Sequence, residues 1–119
     1  MKVLKVGDSA EQPAVAPIFM GTVQSRPLVG ADAGAKTTVN MVHFINGGRT
    51  KRHTHSEDQI LYITDGNGIV ATDEHEHHVT AGDIAHIPAG EIHWHGAEPG
   101  KDMAHLSILP PGSKNEVLD

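Results

Sequence analysis

Three histidines and a glutamine form the pattern in this chain that is best suited to chemistry. His53 and His55 flank Thr54, Gln59 follows closely, and His93 comes much later in the sequence. Side chains at positions i and i+2 point to the same face of a β-strand, so His53 and His55 would lie roughly 7 Å apart along one surface. Both imidazoles can then converge on one metal ion, with Gln59 and His93 completing the shell. The sequence predicts a metal site with three nitrogen ligands and one oxygen ligand.

The ligand types narrow the choice of metal and of reaction. Imidazole suits Mn, Fe, Ni, Cu and Zn, and the chain has no cysteine, which excludes thiolate zinc sites and disulfides. Four neutral ligands leave the full +2 charge on a divalent ion, which favours Lewis-acid chemistry on an alkoxide, an enolate or cyanide. An amide oxygen is the weakest of these ligands, so Gln59 either ligates permanently, joins when substrate binds, or only lines the pocket.

Two further histidines are candidates for proton transfer. His95 lies two residues after His93 and would face the same interior, and His105 lies on the predicted strand 103–109. An imidazole that titrates near pH 6.5 can act as a general base at neutral pH. The alternative for either residue is that it orients a metal ligand.

The same strand alternation predicts the walls of the pocket. The residues expected to face it are mostly apolar, which favours a small and partly hydrophobic substrate: Asn40, Val42, Phe44, Leu61, Ile63, Ser107 and Leu109.

Short strands are the elements that must position these residues. Thirteen glycines and seven prolines punctuate short alternating runs, and no long amphipathic helix is evident. We predict an all-β jelly-roll β-barrel. A hairpin turn is expected at residues 65–68, another turn at 46–48, and a polar tail at 110–119 that is either a short appended segment or disordered. The predicted strands span residues 2–6, 18–24, 37–45, 59–64, 69–72, 77–80, 84–87, 93–97 and 103–109, with the ligand pair at 51–55.

The composition limits the possible partners. With 119 residues we expect one domain spanning 1–119, and a net charge of −6 argues against nucleic acid as a partner. No apolar run reaches membrane-spanning length and no signal peptide is evident, so we expect a cytoplasmic protein without a membrane partner. The one basic cluster, Arg49, Lys51 and Arg52, is either ordinary solvated surface or a means of attracting an anionic substrate.

The glycine and proline spacing around the ligands resembles the two-part signature of the cupin superfamily. In this chain it reads Gly47-x5-His53-x-His55-x3-Gln59-x6-Gly66, followed by Gly82-x5-Pro88-x-Gly90-x2-His93. Gln59 stands where the signature usually has Glu, and Ala97 where it usually has Asn. The signature covers about residues 37–109 and implies the jelly-roll fold.

Further strings resemble one subgroup, the manganese-dependent bacterial cupin hydroxynitrile lyases and the carboxymuconolactone decarboxylase-associated cupins. This resemblance runs over about residues 18–109. It implies that His53, His55, His93 and Gln59 hold a divalent metal, most simply Mn, that His95 or His105 moves the hydroxyl proton, and that a carbon–carbon bond next to an oxygen is cleaved or formed. The strings are Phe19-Met20-Gly21-Thr22-Val23, Pro88-Ala89-Gly90-Glu91, His93-Trp94-His95-Gly96-Ala97 and Met103-Ala104-His105-Leu106.

Three functional hypotheses follow. The first is a Lewis-acid lyase or isomerase acting on a small hydroxy or carbonyl compound, the second is a non-haem metal dioxygenase, and the third is a non-catalytic cupin that binds metal and a small ligand. We also expect a homodimer or a larger symmetric assembly. Leu61 and Ile63 occupy one face of their strand while Ile60 and Tyr62 occupy the other, and a monomer would leave part of the second set exposed.

Overall fold

Ten β-strands and one short 3-10 helix make up the regular structure of the described part of this protein. The computed structural model describes residues 1–30 and 34–118. The helix is Val6–Asp8, and the strands are β1 Gln12–Pro13, β2 Phe19–Val29, β3 Thr38–Thr50, β4 His53–His55, β5 Gln59–Thr72, β6 Glu76–Thr80, β7 Ile84–Ile87, β8 His93–Ala97, β9 Met103–Leu109 and β10 Asn115–Val117. The prediction of an all-β fold is confirmed.

Four of the strands close a barrel. β3 pairs with β9, β9 with β5, and β5 with β8, and β8 returns to β3 where Arg49 pairs with Gly96. Closure removes the free sheet edges that these strands would otherwise present. The inward-facing side chains form one apolar core, in which the largest fully buried members are Phe44, Leu61, Ile63 and Met103.

The hairpin predicted at residues 65–68 is wrong. β5 runs continuously from Gln59 to Thr72, pairing with β7 and β9 in its first half and with β6 and β8 in its second half. Gly66 has a φ of 80°, and a Cβ atom there would collide with the backbone oxygen of Asp102. The glycine therefore bends the strand from one side of the barrel to the other and does not reverse the chain.

Two other predictions about local structure need correction. Residues 46–48 do not reverse the chain, because β3 continues to Thr50 and the left-handed Asn46 and Gly47 coincide with a register shift against β2. Such a bulge bends a strand without ending it. Residues 2–6 do not form an edge strand, since Val3 and Leu4 are exposed and the 3-10 helix begins at Val6. An alternating sequence forms a strand only where a pairing partner is available.

Part of the predicted C-terminal tail, Asn115–Val117, forms an appended strand. β10 pairs antiparallel with β4, so that Asn115 lies opposite His55 and Val117 lies opposite His53. The backbone N–H of Leu118 also donates to the carbonyl oxygen of Arg52 at 2.9 Å. Pairing with the strand that carries two predicted ligands gives this segment a place beside the site. No helix within residues 1–30 and 34–118 has the length and apolarity to cross a membrane.

Candidate metal centre

Two adjacent strands bring the three predicted histidine ligands together. His53 and His55 point from the same face of β4, and His93, the first residue of β8, is the direct cross-strand partner of His53. The ring centroids of His53 and His93 are 4.2 Å apart, and those of His53 and His55 are 4.8 Å apart. One potential ligand atom from each residue lies within 4.8 Å of the others, and all three side chains are buried. These three histidines could hold one metal ion.

Backbone carbonyl groups set the tautomers of two of these rings. The Nδ1 atom of His53 lies 2.7 Å from the carbonyl oxygen of Lys51, and that of His93 lies 2.9 Å from the carbonyl oxygen of Glu91. A carbonyl oxygen can only accept, so each Nδ1 must carry the hydrogen and donate it. The Nε2 atom of each ring is then free to present a lone pair to the centre of the cluster.

Burial keeps the cluster neutral. It lowers the pKa of His53 to about 3 and that of His55 to about 4, and it lowers the pKa of His93 in the same direction. Neighbouring imidazoles add to this effect at His53 and His55, because a second positive charge nearby is unfavourable. At neutral pH these side chains are therefore unprotonated, which is the form that binds metals.

Gln59 adds an oxygen to the same cluster. Its Oε1 atom lies 3.3 Å from Nε2 of His93, and its Nε2 atom donates to the hydroxyl oxygen of Ser107 at 2.9 Å. All three side chains are buried. Gln59 begins β5, and Ser107 is the partner of Leu61 on β9, so the glutamine and the serine are diagonal neighbours on the inner face.

The donor set fits a cation. The lone pair on Nε2 of His93 faces the amide oxygen of Gln59, and neither atom has a hydrogen to offer the other. The Nε2 atoms of His53 and His55 lie 3.2 Å apart, a contact that is a hydrogen bond in one tautomer of His55 and two facing lone pairs in the other. Converging lone pairs repel one another unless a positive charge lies between them. Three imidazole nitrogens and an amide oxygen suit a divalent first-row ion.

His95 and His105 form a second buried pair beside the cluster. The Nε2 atom of His105 lies 3.0 Å from Nδ1 of His95, and both rings contact the ring of Phe44. The other nitrogen of each ring, Nε2 of His95 and Nδ1 of His105, is buried without a hydrogen-bond partner. Burial lowers the pKa of both imidazoles, that of His105 to about 4. The pair is a neutral proton donor and acceptor set.

A cavity of about 230 Å³ adjoins both histidine groups. Of the predicted ligands it is lined by His53, His55 and Gln59, and of the predicted bases by both His95 and His105. The predicted pocket residues Asn40, Val42, Ser107 and Leu109 also line it. Phe44, Leu61 and Ile63, in contrast, are fully buried core residues that are absent from its wall. His93 is not in the wall of this cavity and instead lines a surface depression of about 460 Å³ on the β6–β7 side.

Sequence reasoning missed several residues that shape this cavity. Ala16, Ile18 and Phe19 reach it from the N-terminal side, and Asn115 reaches it from β10. Thr50 is buried at the cavity, where its hydroxyl oxygen accepts a hydrogen bond from the backbone N–H of His95 at 3.1 Å. No local pattern signals Asn115, because its position depends on the pairing of β10 with β4. The cavity wall therefore draws on both ends of the chain.

The two arginines of the basic cluster beside the histidines contact other side chains. The guanidinium group of Arg49 lies 3.6 Å from the ring centroid of Trp94, and that of Arg52 binds both carboxylate oxygens of Asp73, at 2.7 and 2.8 Å. Neither arginine lines the 230 Å³ cavity. These contacts favour the interpretation of the cluster as ordinary protein surface.

Comparison with known proteins agrees with this geometry. Residues 40–109 match the family model of the cupin domain. The chain is 37% identical over 113 residues to the (R)-mandelonitrile lyase of Granulicella tundricola. This alignment covers 91% of this chain and 83% of that protein. The chain belongs to the cupin family.

Two other proteins are similar to this cupin, one over most of its length and one over about half. The structure of a cupin-like protein from Thermotoga maritima superimposes with a TM-score of 0.85 at 31% identity, covering 92% of this chain and 86% of that one. An acireductone dioxygenase of Gluconacetobacter diazotrophicus is 35% identical over 61 residues, covering 48% of this chain and 34% of that protein. The lyase and the Thermotoga protein are thus similar over nearly the whole cupin, and the dioxygenase over about half.

Proposed function

We propose that this cupin is a metal-dependent lyase that cleaves a small hydroxynitrile into a carbonyl compound and hydrogen cyanide. The observation that carries the proposal is the cavity at which a neutral metal-ligand set and a buried histidine pair meet. The relative named (R)-mandelonitrile lyase, similar over most of the chain, supports the same reaction. The ligands would be His53, His55, His93 and Gln59, and manganese(II) is the metal that the family resemblance implies.

Each group has a distinct task in this reaction. When bound, a divalent ion with four neutral ligands supplies Lewis acidity that stabilises negative charge on the substrate. A free nitrogen of His95 or His105 accepts the hydroxyl proton as the C–C bond breaks, and the electrons of that bond leave with cyanide. The same proton, returned from the imidazole, converts cyanide to hydrogen cyanide. Burial lowers the pKa of both imidazoles, so the pair is neutral and can accept this proton.

The cavity suits a small substrate with an apolar portion. Its volume of about 230 Å³ lies below the range of pockets that hold drug-sized ligands. Ile18, Phe19, Val42 and Leu109 give it an apolar side that can hold the hydrocarbon part of a hydroxynitrile. The imidazoles lie at the polar side, where the hydroxyl and nitrile groups would be placed.

A dioxygenase is the second candidate function. The partial similarity to an acireductone dioxygenase favours it, and imidazole ligands also suit iron, copper and nickel ions. A dioxygenase must consume O2, whereas a lyase needs no oxidant. The two candidates therefore differ in a single measurable requirement.

Anaerobic turnover of mandelonitrile separates these candidates. Protein purified without a metal-affinity step would be analysed for its metal content, and benzaldehyde release would be followed under nitrogen and under air. We expect one equivalent of a divalent transition metal per chain, and equal rates in both atmospheres that fall at least about 100-fold in H105A. Activity that disappears under nitrogen would overturn the lyase in favour of the dioxygenase. Metal and ligand binding without turnover in either atmosphere would favour a non-catalytic cupin.

We also propose that two copies of the chain associate through the outer face of β5 and β7. Tyr62 and Ile84 are direct cross-strand partners there, and both are exposed, Ile84 to 67%. Adjacent exposed apolar side chains of this kind usually mark an interface. We expect a dimer or larger assembly in light scattering at micromolar concentration, and dissociation of that assembly by I84D. A monomeric wild type would contradict the proposal.

A further inference from the structure

Ser107 is hydrogen-bonded to Gln59, which is one of the candidate metal ligands. Its hydroxyl oxygen accepts from the amide nitrogen of Gln59 at 2.9 Å, and the amide oxygen faces Nε2 of His93 at 3.3 Å. Ser107 and Gln59 are 9% and 3% exposed, so both partners of this hydrogen bond are buried. The chain of contacts runs from β9 through β5 to β8 without leaving the interior.

An amide side chain is useful to a metal only in one of its two orientations. The oxygen end is a ligand, whereas the NH2 end carries hydrogens and repels a cation. The two ends have nearly the same shape, so packing alone does not distinguish them. A hydrogen-bond acceptor on the far side of the amide selects the orientation, because the buried NH2 group is then satisfied only when it points away from the histidines.

We propose that Ser107 is a positioning residue that holds the amide of Gln59 with its oxygen toward the metal. This inference rests on the metal site put forward above and assigns to Ser107 a role beyond lining the cavity. Without the hydroxyl group, the NH2 of Gln59 would lose its acceptor on the β9 side. The amide would then be free to rotate and donate to the unprotonated Nε2 of His93. That rotation would remove the oxygen ligand and occupy the lone pair of a nitrogen ligand.

Metal affinity in the full-length protein tests this role without relying on activity. Manganese(II) binding would be measured by competition with a chelator, and cobalt(II) spectra would report the ligand geometry. We expect S107A to weaken manganese binding about ten-fold, the lower range for changes beside a metal ligand, and to alter the cobalt spectrum. S107T should restore both, because it retains the hydroxyl group. N40A is the matched control, since Asn40 is the cross-strand partner of Ser107 on the same cavity wall and its loss leaves the hydroxyl in place.

The Q59E variant separates the effect of side-chain orientation at residue 59 from the effect of general packing. Both carboxylate oxygens of Q59E are acceptors, so neither orientation turns a hydrogen toward the metal. We therefore expect the effect of S107A on metal affinity to shrink to less than about two-fold in Q59E. An equal effect of S107A in both backgrounds, or no effect in the native background, would overturn the positioning role while leaving the metal site intact. Failure of the wild type to bind manganese or cobalt would instead overturn the metal site, and the positioning role with it.

Discussion

The ten histidines of this cupin fall into two groups with opposite surroundings. Five are buried at the site, where their nitrogens meet backbone carbonyls, an amide or one another. The other five are more exposed, and three of these lie beside carboxylates: His43 near Glu11, His86 near Asp58 and His78 near Glu98. The buried group comprises residues 53, 55, 93, 95 and 105, and the second group residues 43, 75, 77, 78 and 86.

The difference lies in the partner that each group meets. In the exposed group, a carboxylate oxygen contacts one ring nitrogen of His43, His78 and His86, so that nitrogen already has a partner. A backbone carbonyl on Nδ1 with burial on every side favours the neutral ring with its Nε2 lone pair exposed to the cluster. Histidines in the buried region thus have the partners that suit metal binding, whereas those in the exposed region make ordinary surface contacts. Sequence spacing alone does not show which partners a histidine will have.

The largest expected effect comes from removing one member of the buried cluster. H55A deletes a ligand that converges with His53 and His93, so we expect it to lose most of the bound metal, an affinity change well above ten-fold. The β fold should persist, because the core residues Phe44, Leu61 and Ile63 are untouched. Elemental analysis and circular dichroism measure the two outcomes. Full metal retention in a folded H55A protein would show that the ion binds elsewhere.

The sequence predicted the site better than it predicted the path of the chain. Strand alternation predicts that His53 and His55 share one face, and the resemblance to the two-part cupin signature adds His93 to them. The continuity of β5 through Gly66 could not be predicted. Gly66 allows a close approach to the backbone of Asp102, but in the sequence a glycine at this position has the pattern of a hairpin turn. The position of Asn115 likewise depends on the long-range pairing of β10 with β4.

An intermediate effect is expected when the pH is lowered on metal-free protein. The pKa of His105 is about 4 in the folded protein, below the ordinary value of 6.5, so the unfolded chain binds more protons between these values. Stability is then complete above about pH 6.5 and falls as the pH drops toward 4, by ~2 kcal/mol at pH 5 from this residue. Urea unfolding at several pH values measures the slope, which should be shallower in H105Q. Identical slopes in the two proteins would contradict the assignment.

The smallest effect should come from the exposed group. His75, His77 and His78 lie in and beside β6, where their side chains are exposed and the rings of His75 and His77 are 6.3 Å apart. Replacing all three with glutamine should leave the metal content at one equivalent per chain. Stability should change by less than about 0.5 kcal/mol for each replacement, since surface substitutions remove little buried contact. Elemental analysis and urea unfolding, run beside H55A, provide the measurement. A loss of the tightly bound equivalent would mean that exposed imidazoles hold metal despite their solvation, and would remove the distinction between the two groups.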